Sequence, residues 1–305
     1  YVLDWVASWG GVGKGRMYKF TDPANANAAL QKETEKLIFD GMTKRSEEEL
    51  AKLLAHADMR VRQAAQFELA GRGGGSVKVF AKVAADTKLA NPLGRLHAIW
   101  GLGQLAKNAG ALDSLPALLA DADAEVRAQT ANVLGTHKVA ATSGKLIELL
   151  QDKENRVRFF AALSLGKLGD KNAFEPLCKM LAENDDKDPI LRHGGVMGLI
   201  GCGTAEQIAA KAHDPSVAVR GDAVVALRRL QSPLVAEFLK DADESVVLEA
   251  ARAIHDAPIE AAMPALAALT TNSALKNNNI LNRAVNANYR LGKPENAKAL
   301  AALAA

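Results

Sequence analysis

Aromatic side chains make up only 5% of this chain. That scarcity argues against a β-sandwich, whose strands favour aromatic and β-branched residues. Cysteine is scarcer still, with Cys178 and Cys202 the only two. Two thiols give no disulfide framework. They fall on the two helices of one expected hairpin, offset by about nine residues, or roughly 13 Å of helix rise. A disulfide needs Cα atoms within about 7 Å, so both thiols are expected to be free. No apolar run reaches the roughly 18–20 residues needed to span a bilayer as a helix, which excludes direct membrane insertion of that kind. A strong charge of one sign is also missing. Lys and Arg number 38 against 35 Asp and Glu, a net charge of +3, and the isoelectric point is about 8.8. This falls short of the clustered basic excess of a nucleic-acid binder. The chain opens at Tyr1 with neither Met nor a charged-then-apolar leader. We expect an excised or processed piece, a state in which a missing leader says nothing about export.

What the chain has is Ala and Leu in abundance, 49% hydrophobic residues overall, and a repeat. Asp58–Arg62, Asp123–Arg127, Glu154–Arg158, Asp188–Arg192 and Ser216–Arg220 share one pattern: a capping-type residue, two spacers, an aliphatic residue, then arginine. Asn91–Arg95 is a looser copy, and Asp243–Val247 keeps the cap without the arginine. From Arg62 the steps are 33, 32, 31, 34, 28 and 27 residues, ending at Val247. A period near thirty marks a stack of helical hairpins, each unable to bury its apolar face alone.

The expected fold is therefore all-α: a right-handed α–α superhelix, a solenoid of about eight helix pairs, with a short N-terminal β-hairpin. The second helices of the pairs are expected near 59–70, 92–107, 124–134, 155–168, 189–200, 217–230, 244–255 and 275–291, with the first helices between them. Ser46 opens the first pair with an acidic turn that suits the helix dipole. Gly71, Gly135, Gly169 and Gly292 are expected as left-handed C-terminal turns. Pro116, Pro176, Pro233 and Pro264 fall in first turns, where the missing N–H costs nothing. The organisation is residues 1–20 as strands left from an upstream domain, 21–45 as a connector with a helix near 31–39, and 46–305 as the solenoid. Residues 296–305 read as the start of another repeat, so the array is expected to continue past the C-terminus.

The recurring residues have structural roles. The capping Asp accepts from free N–H groups at the helix start. A second Asp two residues earlier (Asp121, Asp152, Asp186, Asp214, Asp241) suits the tight turn. The aliphatic residue points into the core, and the Arg reaches carboxylates of its own or the next turn. Trp9–Gly15 (Trp-Gly-Gly-Val-Gly-Lys-Gly) resembles a phosphate loop but lacks the hydroxyl residue after Lys14 and is followed by a strand pattern. A hairpin loop accounts for it better. His56, His97, His137, His193, His213 and His255 include no His-x-x-x-His, and His97 and His193 lack a following carboxylate. Neither cysteine begins a Cys-x-x-Cys-His haem site. Lys44, Arg45, Lys78, Lys82, Lys88, Arg228 and Arg229 read as a solvated face. Gly194, Gly195, Gly198, Gly201 and Gly203 crowd one helix, and close packing explains them better than a soft joint. No catalytic, cofactor-binding or metal-ligating residue is assigned.

The second-helix segments of 46–305 resemble HEAT repeats of the phycobilisome-lyase-like variety, which serve scaffolds, lyases and other enzymes alike. Arg95–Trp100, Val157–Gly169, Asn184–His193 and Leu281–Gly292 further resemble the central region of large exported bacterial proteins named as membrane-bound dehydrogenases. That resemblance implies a sugar-dehydrogenase-like β-propeller before the repeats and a c-type cytochrome after them. Asp4–Trp9 and Gly13–Tyr18 look like the propeller's closing segment. Its implied setting is the periplasm or cell envelope. The reading is a non-catalytic interaction scaffold whose partner is a protein or the adjacent domains of the same polypeptide, with no nucleic acid and no cofactor. The alternatives are a HEAT-type lyase or metal-dependent hydroxylase, and a nucleic-acid-binding HEAT protein.

Overall fold

The computed structural model describes residues 2–4, 15–20, 22, 28–272 and 275–304. The Trp9–Lys14 part of the glycine-rich loop lies outside them. The chain divides into two compact units, 1–105 and 106–305.

In the first unit β1 (Val2–Asp4) pairs antiparallel with β2 (Arg16–Tyr18), Leu3 opposite Met17. Then come α1 (Ala29–Asp40), α2 (Glu47–Leu53), α3 (Met59–Gly71), α4 (Val77–Ala85) and α5 (Leu93–Gln104). The second unit holds α6 (Ala124–Thr136), α7 (Ser143–Leu149), α8 (Asn155–Leu168), α9 (Phe174–Asn184), α10 (Pro189–Cys202) and α11 (Ala205–Ala209). It continues with α12 (Val217–Arg229), α13 (Glu244–Asp256), α14 (Met263–Ala268), α15 (Asn278–Leu291) and α16 (Pro294–Ala304). Two first helices are short 3-10 segments, Leu115–Ala120 and Pro233–Lys240, each with proline in its first turn. Among the described residues this makes eight hairpins, two in the first unit and six in the second.

Local chemistry sets the helix starts. Ser46 and Glu49 form a reciprocal capping box at α2. Asp58, Asp123, Asp188, Ser216 and Asp243 each accept from an N–H in the first turn of the helix they precede. Glu154 makes no such bond. The upstream Asp steadies the turn instead: Asp121, Asp152, Asp214 and Asp241 accept the N–H two residues on, at 2.8–3.0 Å. Asp186 departs from this, with φ at +56° and an ion pair to Arg192 at 3.2 Å.

The core runs through the hairpins in register. Val61, Val126, Val157, Leu191, Val219 and Val246, each one residue before the repeat position, are buried. Seven residues after that position Leu69, Leu102, Leu134, Leu165, Leu199, Leu227 and Ile254 are all fully buried. The last hairpin puts Asn288 there. Its amide donates to Ala267 O at 2.8 Å and accepts from Asn296 of α16 at 2.8 Å. A polar core side chain thus ties the final helix to α14 and α15.

Two of the four glycines expected to be left-handed are so, Gly169 at φ +71° and Gly292 at +63°. Gly71 and Gly135 are helical. Gly135 answers a different need: a Cβ there would lie 2.2 Å from Ser164 Cβ of the next second helix. The left-handed turn after α6 falls on Lys138, and that after α12 on Gln231, at +54° and +53°.

Candidate functional site

Within the second unit the second helices α6, α8, α10, α12, α13 and α15 pack side by side in chain order. Their contact is closest where glycine permits it. A Cβ on Gly201 of α10 would fall 2.1 Å from Gly166 O of α8, inside any real contact. Gly198 would meet Leu177 of α9 at 2.7 Å and Ala162 O at 3.1 Å. The crowd of glycines on α10 is therefore close packing: backbones approach where a side chain would hold them apart. Cys202 bridges the same two helices, donating to Leu165 O at 3.3 Å, and Ser164 bridges α8 to α6, donating to Ala131 O at 2.8 Å.

Charge links the other hairpins. Arg127 grips Asp152 of the next turn through Nε and Nη2, at 2.8 and 2.9 Å. Burial works to raise the Asp152 carboxyl, but Arg127 and the Glu154 N–H outweigh it and hold the group below its ordinary range. Arg220 grips Asp241 in the same way, at 2.7 and 3.0 Å. Arg192 reaches Asp222 on α12 at 2.5 Å. Asp222 is 1% exposed, and burial pushes its carboxyl up to about 7 against the pull of Arg192. The ladder is incomplete: Arg62 donates to the His56 and Ala57 carbonyls instead, and Arg158 donates to Asn155.

The histidines do not converge. His97 lies buried against Gln66 at 2.7 Å and edge-on to Trp100 at 5.1 Å. Burial, with Arg62 second, pushes it down to about 4. Gln66 also donates to Gln104 at 3.1 Å, so this is a satisfied core network of the first unit. His255 bonds Asp256 and Asn286; His193 and His213 are exposed. Among the described residues no group of three or more His, Cys, Asp or Glu is placed to hold a metal. Cys178 and Cys202 are free and buried, and burial pushes each thiol up to about 12. Thiols so placed are poor nucleophiles. A cavity of about 380 Å³ lies beside His213, Arg220, Glu237, Lys240 and Asp241. Its guanidinium is already committed to Asp241.

The feature that stands apart is the uncovered face of the second helices. Leu163 of α8, Met197 of α10 and Val225 of α12 stand at one repeat position, two residues before the buried Leu165, Leu199 and Leu227, and are half-buried; Phe159 of α8 and Leu248 of α13 are half-buried one turn earlier in the repeat. Ile190 and Val217, at the starts of α10 and α12, are 65% and 41% exposed. At the same position on the flanking helices the row turns polar, with Asn132 on α6, exposed Arg252 on α13 and Asn286 on α15. One turn further on stand Lys167 of α8 and Arg229 of α12, both exposed, with half-buried Arg228 beside Arg229, while α10 has Gly201 there and α13 has Asp256. Lys44, Lys78, Lys82 and Lys88, in the first unit, are exposed singly. Also in that unit Phe39 is 90% and Phe67 56% exposed. No helix among the described residues is long and apolar enough to cross a membrane.

Residues 112–200 match the family model for HEAT repeats. The fold is a HEAT-like α-solenoid. Among solved structures, Escherichia coli YibA is 19% identical over 89% of this chain and 98% of its own, with a TM-score of 0.47. The phycocyanin lyase complex of Nostoc is 17% identical over 79% of this chain and 95% of its own, TM-score 0.43. Human deoxyhypusine hydroxylase is 20% identical over 77% and 90%, TM-score 0.33. No curated protein matches.

Proposed function

We propose that this chain is a non-catalytic scaffold, and that the uncovered face of α8, α10 and α12 holds a protein partner or a neighbouring domain of the same polypeptide. The half-buried apolar row carries this reading. A continuous apolar strip on a charged surface is where folded proteins bind one another, and stacked hairpins offer such strips naturally. The sequence resemblance extends the proposal. The chain serves as the middle segment of an exported redox protein of the periplasm or cell envelope. Residues 1–20 belong to an upstream propeller, 21–45 connect, and 46–305 form the solenoid ahead of a c-type cytochrome.

Photocrosslinking tests the scaffold. A photoreactive residue is placed at Met197 on the row, and another at exposed Glu206 on α11, in the full-length protein. Polypeptide adducts are expected from position 197. Adducts only from 206 move the partner elsewhere, and none from either position overturns the scaffold. The redox setting is tested by the reading frame itself. It requires a propeller upstream and a Cys-x-x-Cys-His motif downstream.

A further inference from the structure

We propose that the cavity beside Arg158 of α8 binds a carboxylate from outside the chain. In repeat register Arg127 and Arg220 each set Nε and Nη2 on the two oxygens of an aspartate in the following turn, Asp152 and Asp241. Arg158 has the same place on α8, and Asp186, two residues before the cap Asp188, has the place of Asp241. The pair does not form. The step from Arg158 to Arg192, 34 residues, is the longest of the series, and Asp185 and Asp186 both take left-handed backbone, at φ +49° and +56°. This longer turn carries both carboxylates elsewhere: Asp186 to Arg192 at 3.2 Å and Asp185 to Lys187 at 3.3 Å. Arg158 keeps one acceptor, Asn155 Oδ1 on its Nη2, and its Nε is buried with no partner among the described residues.

A cavity of about 410 Å³ opens at this gap, lined by Asn155, Arg158, Glu183, Asn184, Lys187 and Asp188. That is ample for a small carboxylate or an acidic side chain. Its other polar groups are already engaged. Asp188 Oδ1 accepts from the Ile190 and Leu191 N–H groups at 2.9 and 3.1 Å, and its Oδ2 accepts from Asn155 Nδ2 at 2.7 Å. Those bonds, Asn155 first, hold the Asp188 carboxyl below its ordinary range, and Arg158 contributes least. Asn184 both donates to and accepts from the Asp188 backbone, and Glu183 faces Lys179 at 3.9 Å. Arg158 is left with donors to spare. A guanidinium holds a carboxylate best on two parallel N–H bonds, and a buried donor without an acceptor is costly. An incoming carboxylate therefore takes the Nε and Nη2 edge, releases Asn155 Oδ1, and completes the rung that the long turn leaves open. Arg62 also has an unpartnered Nε, but its side chain is buried and donates to two carbonyls. Arg158 is half-buried and faces a cavity. The site shares no residue with the apolar row, so it and the scaffold stand or fall separately.

The test follows the arginine Nε–H signals of the intact 305-residue chain by NMR, with Arg158 assigned as the signal missing from Arg158→Lys. Three probes are added in turn: acetate, an end-blocked Gly-Asp-Gly peptide and its Gly-Asn-Gly counterpart. A saturable shift of the Arg158 signal is expected with acetate and with the Asp peptide, and an affinity at least about tenfold lower with the Asn peptide. The backbone amides of Asn184, Lys187 and Asp188 are expected to move with it. In Arg158→Gln they are expected to stop responding, with thermal unfolding unchanged. Both carboxylate sources support the site: similar affinities for acetate and the Asp peptide identify a free small carboxylate, and a preference of about tenfold or more for the peptide identifies an acidic side chain of another protein. No saturable shift, an equal response to the Asn peptide, or amide shifts that persist in Arg158→Gln overturns the proposal.

Discussion

The joint between α8 and α10 and the joint between α12 and α13 fasten neighbouring hairpins by different means. At the first, backbone lies against backbone: Gly166 and Gly201 leave no room for a side chain. At the second, a guanidinium spans the gap, with Arg220 on both oxygens of Asp241 and on Asp214 O at 2.8 Å. Asp241 in turn accepts from the Asp243 N–H, so one carboxylate serves the ion pair and the next helix start together. The first joint depends on shape and is indifferent to pH. The second depends on a charge withdrawn from water, which is stabilising only while both partners are present.

Filling the first joint should have the largest effect. Gly201→Ala would ordinarily favour a helix by up to about 1 kcal/mol. Here the added methyl meets a carbonyl oxygen of α8, so a net loss of about 3 kcal/mol is expected, read as a lower urea midpoint. Hydrogen exchange should quicken in α8 and α10 first. A neutral Gly201→Ala would show that the two helices can part without cost. Asp241→Ala should come next. It strands Arg220, itself 13% exposed, and strips the turn before α13 of its acceptor. A loss of about 2–3 kcal/mol is expected. Asp241→Asn should recover part of it, because the amide oxygen can still accept.

Asp222 joins α10 to α12 by a third means, and pH should expose it. Burial pushes its carboxyl up to about 7, against about 3.9 in an unfolded chain. Between those values the folded protein keeps a proton that the unfolded chain has released. Its contribution is therefore complete below about pH 4 and is lost as pH rises toward 7. Arg192 and Asp186 face it from the α10 side, one favouring the charged form and the other opposing it. Relative to Asp222→Asn, the native chain should lose on the order of 2 kcal/mol between about pH 4 and pH 7 in urea unfolding. Parallel pH profiles for the two proteins would show that the carboxyl is charged throughout.

The sequence made the hairpins legible because their signals are local. A capping residue, an aliphatic residue and an arginine at fixed spacing placed the starts of α3, α6, α8, α10 and α12 at their observed residues. Glycine was harder to read. Near a helix end it can mark a left-handed turn, as at Gly169, or a tight approach, as at Gly135, and only the neighbouring helix distinguishes them. The uncovered apolar row went unread for a related reason. Leu163, Met197 and Val225 look like core residues in a one-dimensional pattern. The signal available was the basic residue one turn after two of them, Lys167 and Arg229, which gains meaning once that face is known to be uncovered.

The smallest effects should come from positions where the chain departs from its own rules without contact. Gly221 lies inside α12, and a Cβ there meets nothing within 4 Å. It sits in the same array as Gly201 and in the same kind of helix, yet Gly221→Ala should stabilise by about 0.5–1 kcal/mol, the ordinary helix preference. Lys138 and Gln231 hold left-handed turns where other hairpins use glycine. Such a conformation costs an L-residue about 1 kcal/mol or more, part of which glycine returns as unfolded-chain entropy. Lys138→Gly and Gln231→Gly should therefore each gain a few tenths to about 1 kcal/mol in the urea midpoint. Opposite signs for Gly221→Ala and Gly201→Ala would establish that space, and not helix preference, decides where this solenoid keeps its glycines.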